Sequence, residues 1–177
     1  PLIENGLAFY GISLDASKTA GGKVHQAVYA DMTSLYQDRH VDFVFTHLAL
    51  PAAAVTEMFV SRQSVVLPIS NACIDKLAKD LGTLGTDSGH QIIHKGTYKG
   101  QAEDVPTVVS TGELLVGKAV ADDVVYAITK ILCRNIPELH KINNANATFI
   151  AEKGWLHVAV PLHPGAEKFY REAGFMK

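Results

Sequence analysis

Cysteine is scarce in this chain: two in 177 residues, Cys73 and Cys133. They stand far from any C-x-x-C spacing, which excludes a zinc or dithiol redox motif of that kind. A single disulfide between them stays open, since spacing alone does not test its geometry. Each also reads as a small buried hydrophobe on a helix face. Excess charge of one sign is missing too. The formal net charge is −2, so the basic face of an electrostatic nucleic-acid binder is absent and no nucleic-acid partner is expected. No apolar run approaches the roughly 20 residues of a membrane-spanning helix. The longest, such as "SVVLPI" at 64–69, are strand-sized. There is no P-loop, no G-x-S-x-G and no G-x-G-x-x-G. "GTLGTDSG" at 82–89 is rich in glycine but lacks the lysine and following helix that phosphate cradling requires, and it reads as a surface loop. The chain begins at Pro1 with no basic-then-apolar signal segment. The expectation is a removed targeting segment or a piece of a longer chain.

What is present suits a globular protein. With 47% hydrophobic and 19% charged residues, one domain or two small lobes are expected around a real core. Helical spacing of apolar residues predicts a helix over 22–38. "VDFVF" at 41–45 and "SVVLPI" at 64–69 read as strands, with a short helix opened by Pro51 between them. That order predicts a βαβ unit and a parallel sheet. Asn71 and Gly82 bracket a further helix. "GHQIIHKGTYKG" and "DVPTVVST" read as extended segments. From Ala119 the pattern is helical, with Asp122 and Asp123 in the first turn and Arg134 near the end. Pro137 starts another short helix. In the closing segment Glu167 and Arg171 form a favourable (i, i+4) pair, and Gly174 is a natural stop. The boundary between the two regions falls near 104–112, giving 1–105 and 106–177.

Few residues suggest chemistry. His90 and His94 have an H-x-x-x-H spacing, but the glutamate of a zinc helix is missing, and on a strand they would lie about 13 Å apart. No metal or cofactor is expected. Asp42 within "VDFVF" reads as an acid bonding to nearby backbone. "FTHLALP" at 45–51 is more informative, because it leaves a predicted strand end and enters a helix. Ligands of open α/β sheets collect beyond such ends. Thr46 and His47 bring polar groups there, and the first amides of the next helix would suit a carboxylate. An ordinary connector is the alternative, and residue types do not decide between them.

Several phrases together carry a family resemblance. "ADDVVYAITKIL" at 121–132, "KGTYKGQAEDVPTV" at 95–108 and the closing "VPLHPGAEKFYREAGF" resemble the solute receptors of the TAXI branch of the tripartite TRAP transporters. "YQDRHVDFVFTHLALPAAAVTEMF" at 36–59 is similar less closely, with Arg39-His40 in place of the usual glycine turn. The resemblance implies an α/β, type II periplasmic-binding-protein-like fold. This chain would supply the second lobe, about 1–105, plus the returning helices of the first lobe. The exposed apolar surface left by the rest would favour a homodimer. It further implies a receptor outside the cytoplasmic membrane, in the periplasm or its equivalent. That receptor would pass a small organic solute, a glutamate-like or dicarboxylic acid, to the permease subunits of an ion-driven transporter. By position, Thr46, His47, Pro51 and Tyr98 are the implied ligand residues. Tyr98 is equally open to a packing role.

A solute receptor would work by binding and hinge closure, without bond chemistry. An enzyme, or the effector-binding domain of a regulator, on a related scaffold is the alternative. No convergent nucleophile or acid/base set marks an enzyme. His163, between two prolines in the closing segment, has no such partner either and reads as structural.

Overall fold

The computed structural model describes residues 1–143 and 146–177. It is mostly helical with a small sheet, and it divides into two units, 1–110 and 111–177.

In the first unit, α1 (Leu2–Phe9) packs on α5 (Asn71–Leu81), and a short α2 (Leu14–Thr19) follows α1. The α5 start is fastened twice. Ser70 accepts from the Cys73 amide at 3.3 Å, and the Ser70 amide donates to the Tyr10 hydroxyl at 2.9 Å. α5 buries Cys73, Ile74 and Leu77 and ends at Gly82 in the left-handed conformation. The helix cap is thus Ser70, one residue before the predicted Asn71.

α3 (Tyr29–Gln37) packs against α4 (Ala53–Ser61). It starts seven residues later than periodicity predicts. Val28, its N-cap residue, is extended and offers no side-chain acceptor; its carbonyl takes the Met32 amide, but the backbone from 23 to 27 forms no helical bonds. At the other end the Arg39 amide donates to Tyr36 O and the His40 amide to Leu35 O, closing the helix with a paired reversal. Arg39 therefore takes a positive φ of 63°, where glycine is the residue without strain. Arg62 ties this end to the rest: one guanidinium nitrogen donates to Tyr36 O at 2.7 Å and Val41 O at 3.2 Å, and the group lies 4.4 Å from the Tyr36 ring centre.

The parallel sheet predicted from 41–45 and 64–69 does not form. Neither segment pairs as a strand among the described residues. The sheet that does form is antiparallel: β1 (Ile92–Ile93) against β2 (Val105–Pro106), with Leu84 and Val109 bridged beyond it. Residues 64–69 reach it through one backbone bond, from the Ile69 amide to Pro106 O at 3.0 Å. β-Branched and aromatic residues mark a chain that fits a pleated surface, but pairing needs a neighbour of matching register, and none lies beside these segments. Phe59, Ile93 and Tyr98 form the core here, with Val55, Val66 and Val105 packed on it.

The second unit is built on α6 (Asp122–Arg134) and α8 (Pro164–Glu172), joined through α7 (Ile136–Ile142). α8 crosses α6 at Gly165, where an added Cβ would lie 2.1 Å from Asp122 O. Only glycine fits such an approach. Phe169 stands edge-on to Tyr126 at 5.8 Å, and the Tyr126 hydroxyl donates to Glu172 at 2.7 Å. Glu167 and Arg171 pair at 2.7 Å as expected. Gly174 carries a positive φ of 74° in the same paired reversal that Arg39 closes. Both cysteines are free thiols, so the disulfide does not form.

Candidate functional site

Thr46, His47 and Pro51 lie along the loop that leads into α4, and Tyr98 is joined to that loop through Ala52. Met58 and Phe59 bury one side of α4, and this packing sets the direction in which the preceding loop enters the helix. Tyr98 supports the corner from below. Its ring is 3% exposed, stacked on Phe59 with centres 5.1 Å apart, and its hydroxyl accepts from the Ala52 amide at 3.2 Å. Tyr98 therefore belongs both to the core and to the loop that carries Pro51. The Leu50–Pro51 peptide is cis, which turns the chain sharply into α4. Pro51 thus precedes the helix by two residues, rather than opening its first turn as the sequence suggested.

His47 is held on two sides. Its Nε2 lies 3.1 Å from Ser110 Oγ, and its carbonyl accepts from the Tyr29 hydroxyl at 3.4 Å. Thr46 differs: its Oγ1 is buried and has no hydrogen-bond partner. A buried hydroxyl without a partner costs about 1–3 kcal/mol, so such atoms are scarce and call for a reason. α4 adds a second set of open groups. Ala52 has no side chain able to cap, and no acid lies in the first turn. The Ala52 amide is taken by Tyr98 and the Thr56 amide by Ala52 O, which leaves the amides of 53–55 without helical acceptors. Together, a hydroxyl, an imidazole edge and the positive end of a helix suit a small molecule bearing a carboxylate.

Elsewhere Thr83 Oγ1 and the His163 ring Nε2 are likewise buried without a partner. His90 and His94 do not converge; His94 lies 3.7 Å from Asp104. The amide of Lys95 donates to Asp104 at 2.7 Å and holds its carboxyl below the usual range, with His94 adding to the effect. No group of three His, Cys, Asp or Glu side chains suited to a metal gathers among the described residues. His163 caps α8, its Nδ1 accepting from the Gly165 amide at 3.2 Å. A shallow groove in the second unit is lined by Trp155, Leu162 and Met176 together with Glu167.

Sequence reasoning missed Ser110, Arg62 and the Ala52 amide. No spacing rule joins residue 47 to residue 110, and a backbone amide leaves no mark in a sequence. A model of the NMT1-like family matches residues 5–174.

Proposed function

Because the chain belongs to the NMT1-like family, a periplasmic-binding-protein-like family of substrate-binding domains, we propose that it captures a small organic solute at the 46–52 corner. The solute is a carboxylate, glutamate-like or dicarboxylic. Thr46 donates its free hydroxyl, His47 presents its ring edge, Pro51 shapes the wall, and the first amides of α4 receive the carboxylate. Tyr98 holds the loop in register through Ala52. The protein performs no bond chemistry: it binds, closes and releases. In this reading it serves as the extracytoplasmic receptor of a TRAP-type transporter of the TAXI branch and hands its solute to membrane permease subunits.

The observation that carries the proposal is the buried Thr46 hydroxyl with no partner, in the loop that leads to a helix start with no side-chain cap. A fold that spends desolvation on a hydroxyl without a bond gains from it only when something else supplies the bond. No helix of the described residues is long and apolar enough to cross a membrane. Calorimetric titration of the full-length protein against glutamate-like and dicarboxylic acids tests the proposal, with product analysis of the same samples. Saturable binding of an unchanged solute supports it. Turnover of the solute, or no binding across the panel, contradicts it.

A further inference from the structure

A carboxylate accepts hydrogen bonds and donates none. A neutral imidazole binds one only through its protonated nitrogen. His47 meets that condition in one of its two tautomers, and the structure holds a group able to select it. Nε2 of His47 lies 3.1 Å from Ser110 Oγ, while Nδ1 has no partner among the described residues and is the nitrogen left for a solute. If Nε2 carries the proton, it donates to Ser110 and Nδ1 offers a lone pair, which repels a carboxylate. If Ser110 donates to Nε2, the proton sits on Nδ1. The bond made by one ring nitrogen sets the state of the other.

Ser110 is suited to the donor role. A serine hydroxyl turns freely to donate or accept, and this one makes no other hydrogen bond among the described residues, so no second acceptor competes for its proton. Its place is fixed. The preceding residue, Val109, is bridged to buried Leu84, whose amide donates to the Val109 carbonyl at 2.8 Å. The His47 backbone is held separately, by the Tyr29 hydroxyl on its carbonyl. His47 and Ser110 are both exposed, so a solute reaches the ring from outside. In the carboxylate site proposed above, on which this inference rests, the other unmet groups are donors: the Thr46 hydroxyl and the amides of 53–55. A proton on Nδ1 completes a set of donors for one acceptor.

We propose that Ser110 is a positioning residue of the solute site. Its hydroxyl donates to His47 Nε2 and fixes the imidazole as a donor through Nδ1. The site then reads the solute by the kind of group presented. A carboxylate is bound, and an ammonium group, which needs a lone pair, finds none on His47. A glutamate-like solute therefore turns a carboxylate toward His47 rather than its amino group.

Nitrogen-15 spectra of the imidazoles in the solute-free protein, at about pH 8.5 and so above the ordinary histidine range, test the tautomer directly. His47→Gln identifies the His47 signals by their loss. The wild-type protein is expected to carry the proton on Nδ1. Ser110→Ala is expected to move it to Nε2 or to a mixture of the two, and to weaken carboxylate binding about five- to tenfold in calorimetry. Ser110→Thr keeps a hydroxyl and is expected to restore both. A thermal melt accompanies each variant; if Ser110→Ala loses its fold, Ser110→Val, equally without a donor, replaces it with the same expected result. A wild-type proton on Nε2 overturns the inference whatever the protein binds. Wild-type affinity in a folded Ser110→Ala, or no rescue by Ser110→Thr, overturns it as well. If the wild-type protein binds no carboxylate, the solute reading falls and the role of Ser110 falls with it; a proton on Nδ1 in the same sample tells that failure apart from a wrong tautomer.

Discussion

Two bends in this chain are built alike and finished differently. At 46–52 and again at 161–165 a histidine and a proline lead into a short helix. At the second bend His163 accepts the Gly165 amide and α8 lies against α6 with no room for a Cβ. At the first, α4 follows Ala52, which offers no side-chain cap, and the Thr46 hydroxyl is buried without a partner. The second bend is closed by its own residues. The first is left with an unmet hydroxyl beside unmet helix amides, whereas at the second the His163 Nδ1 is engaged and its ring Nε2 is the atom left without a partner. The same residue types therefore serve structure in one place and offer a ligand its contacts in the other; what separates them is which donors remain unmet.

The largest test of the closed bend is Gly165→Ala. The new Cβ meets the Asp122 carbonyl, so α8 must lift from α6. The expected loss is about 3 kcal/mol or more, read as the shift in a urea unfolding midpoint. A loss below about 1 kcal/mol would show that the two helices are not tightly locked. Tyr98→Phe comes next and acts on the open bend. It keeps the ring stacked on Phe59 but strands the Ala52 amide, for about 2 kcal/mol. Solute affinity should fall with it, because Tyr98 positions the loop.

These two sites also mark what was legible from sequence. α5, α6 and α8 followed from apolar spacing, since each helix hides one stripe and needs only a local neighbour. Thr46 and His47 were singled out by their place after a supposed strand, and Tyr98 by the family resemblance near the crossover. The strands themselves were misread. Propensity reports that 41–45 and 64–69 favour an extended chain, but not whether another segment lies within pairing distance. The late start of α3 has a similar cause: apolar period continues through Val24 and Val28, while a helix also needs acceptors for its first amides.

Smaller changes sharpen the comparison. His163→Ala removes the α8 cap and should cost about 1 kcal/mol, with solute affinity unchanged. An affinity loss without a stability loss would move His163 out of the closed bend and into a binding role. The smallest effect is a gain. Arg39 and Gly174 close equivalent helix ends, and only arginine pays a steric penalty at positive φ. Arg39→Gly should stabilise the protein by about 0.5 kcal/mol, the relief of strain less the added freedom of the unfolded chain, seen as a small rise in melting temperature.

Thr46→Val removes the unpartnered hydroxyl itself, read by solute calorimetry and thermal melting on the same samples. Valine replaces an unpartnered hydroxyl with a methyl of similar size. The account predicts unchanged or slightly raised stability with carboxylate affinity reduced about tenfold, a loss near 1.4 kcal/mol. Wild-type affinity in Thr46→Val, or a drop in stability that revealed a hidden bond to this hydroxyl, would contradict it.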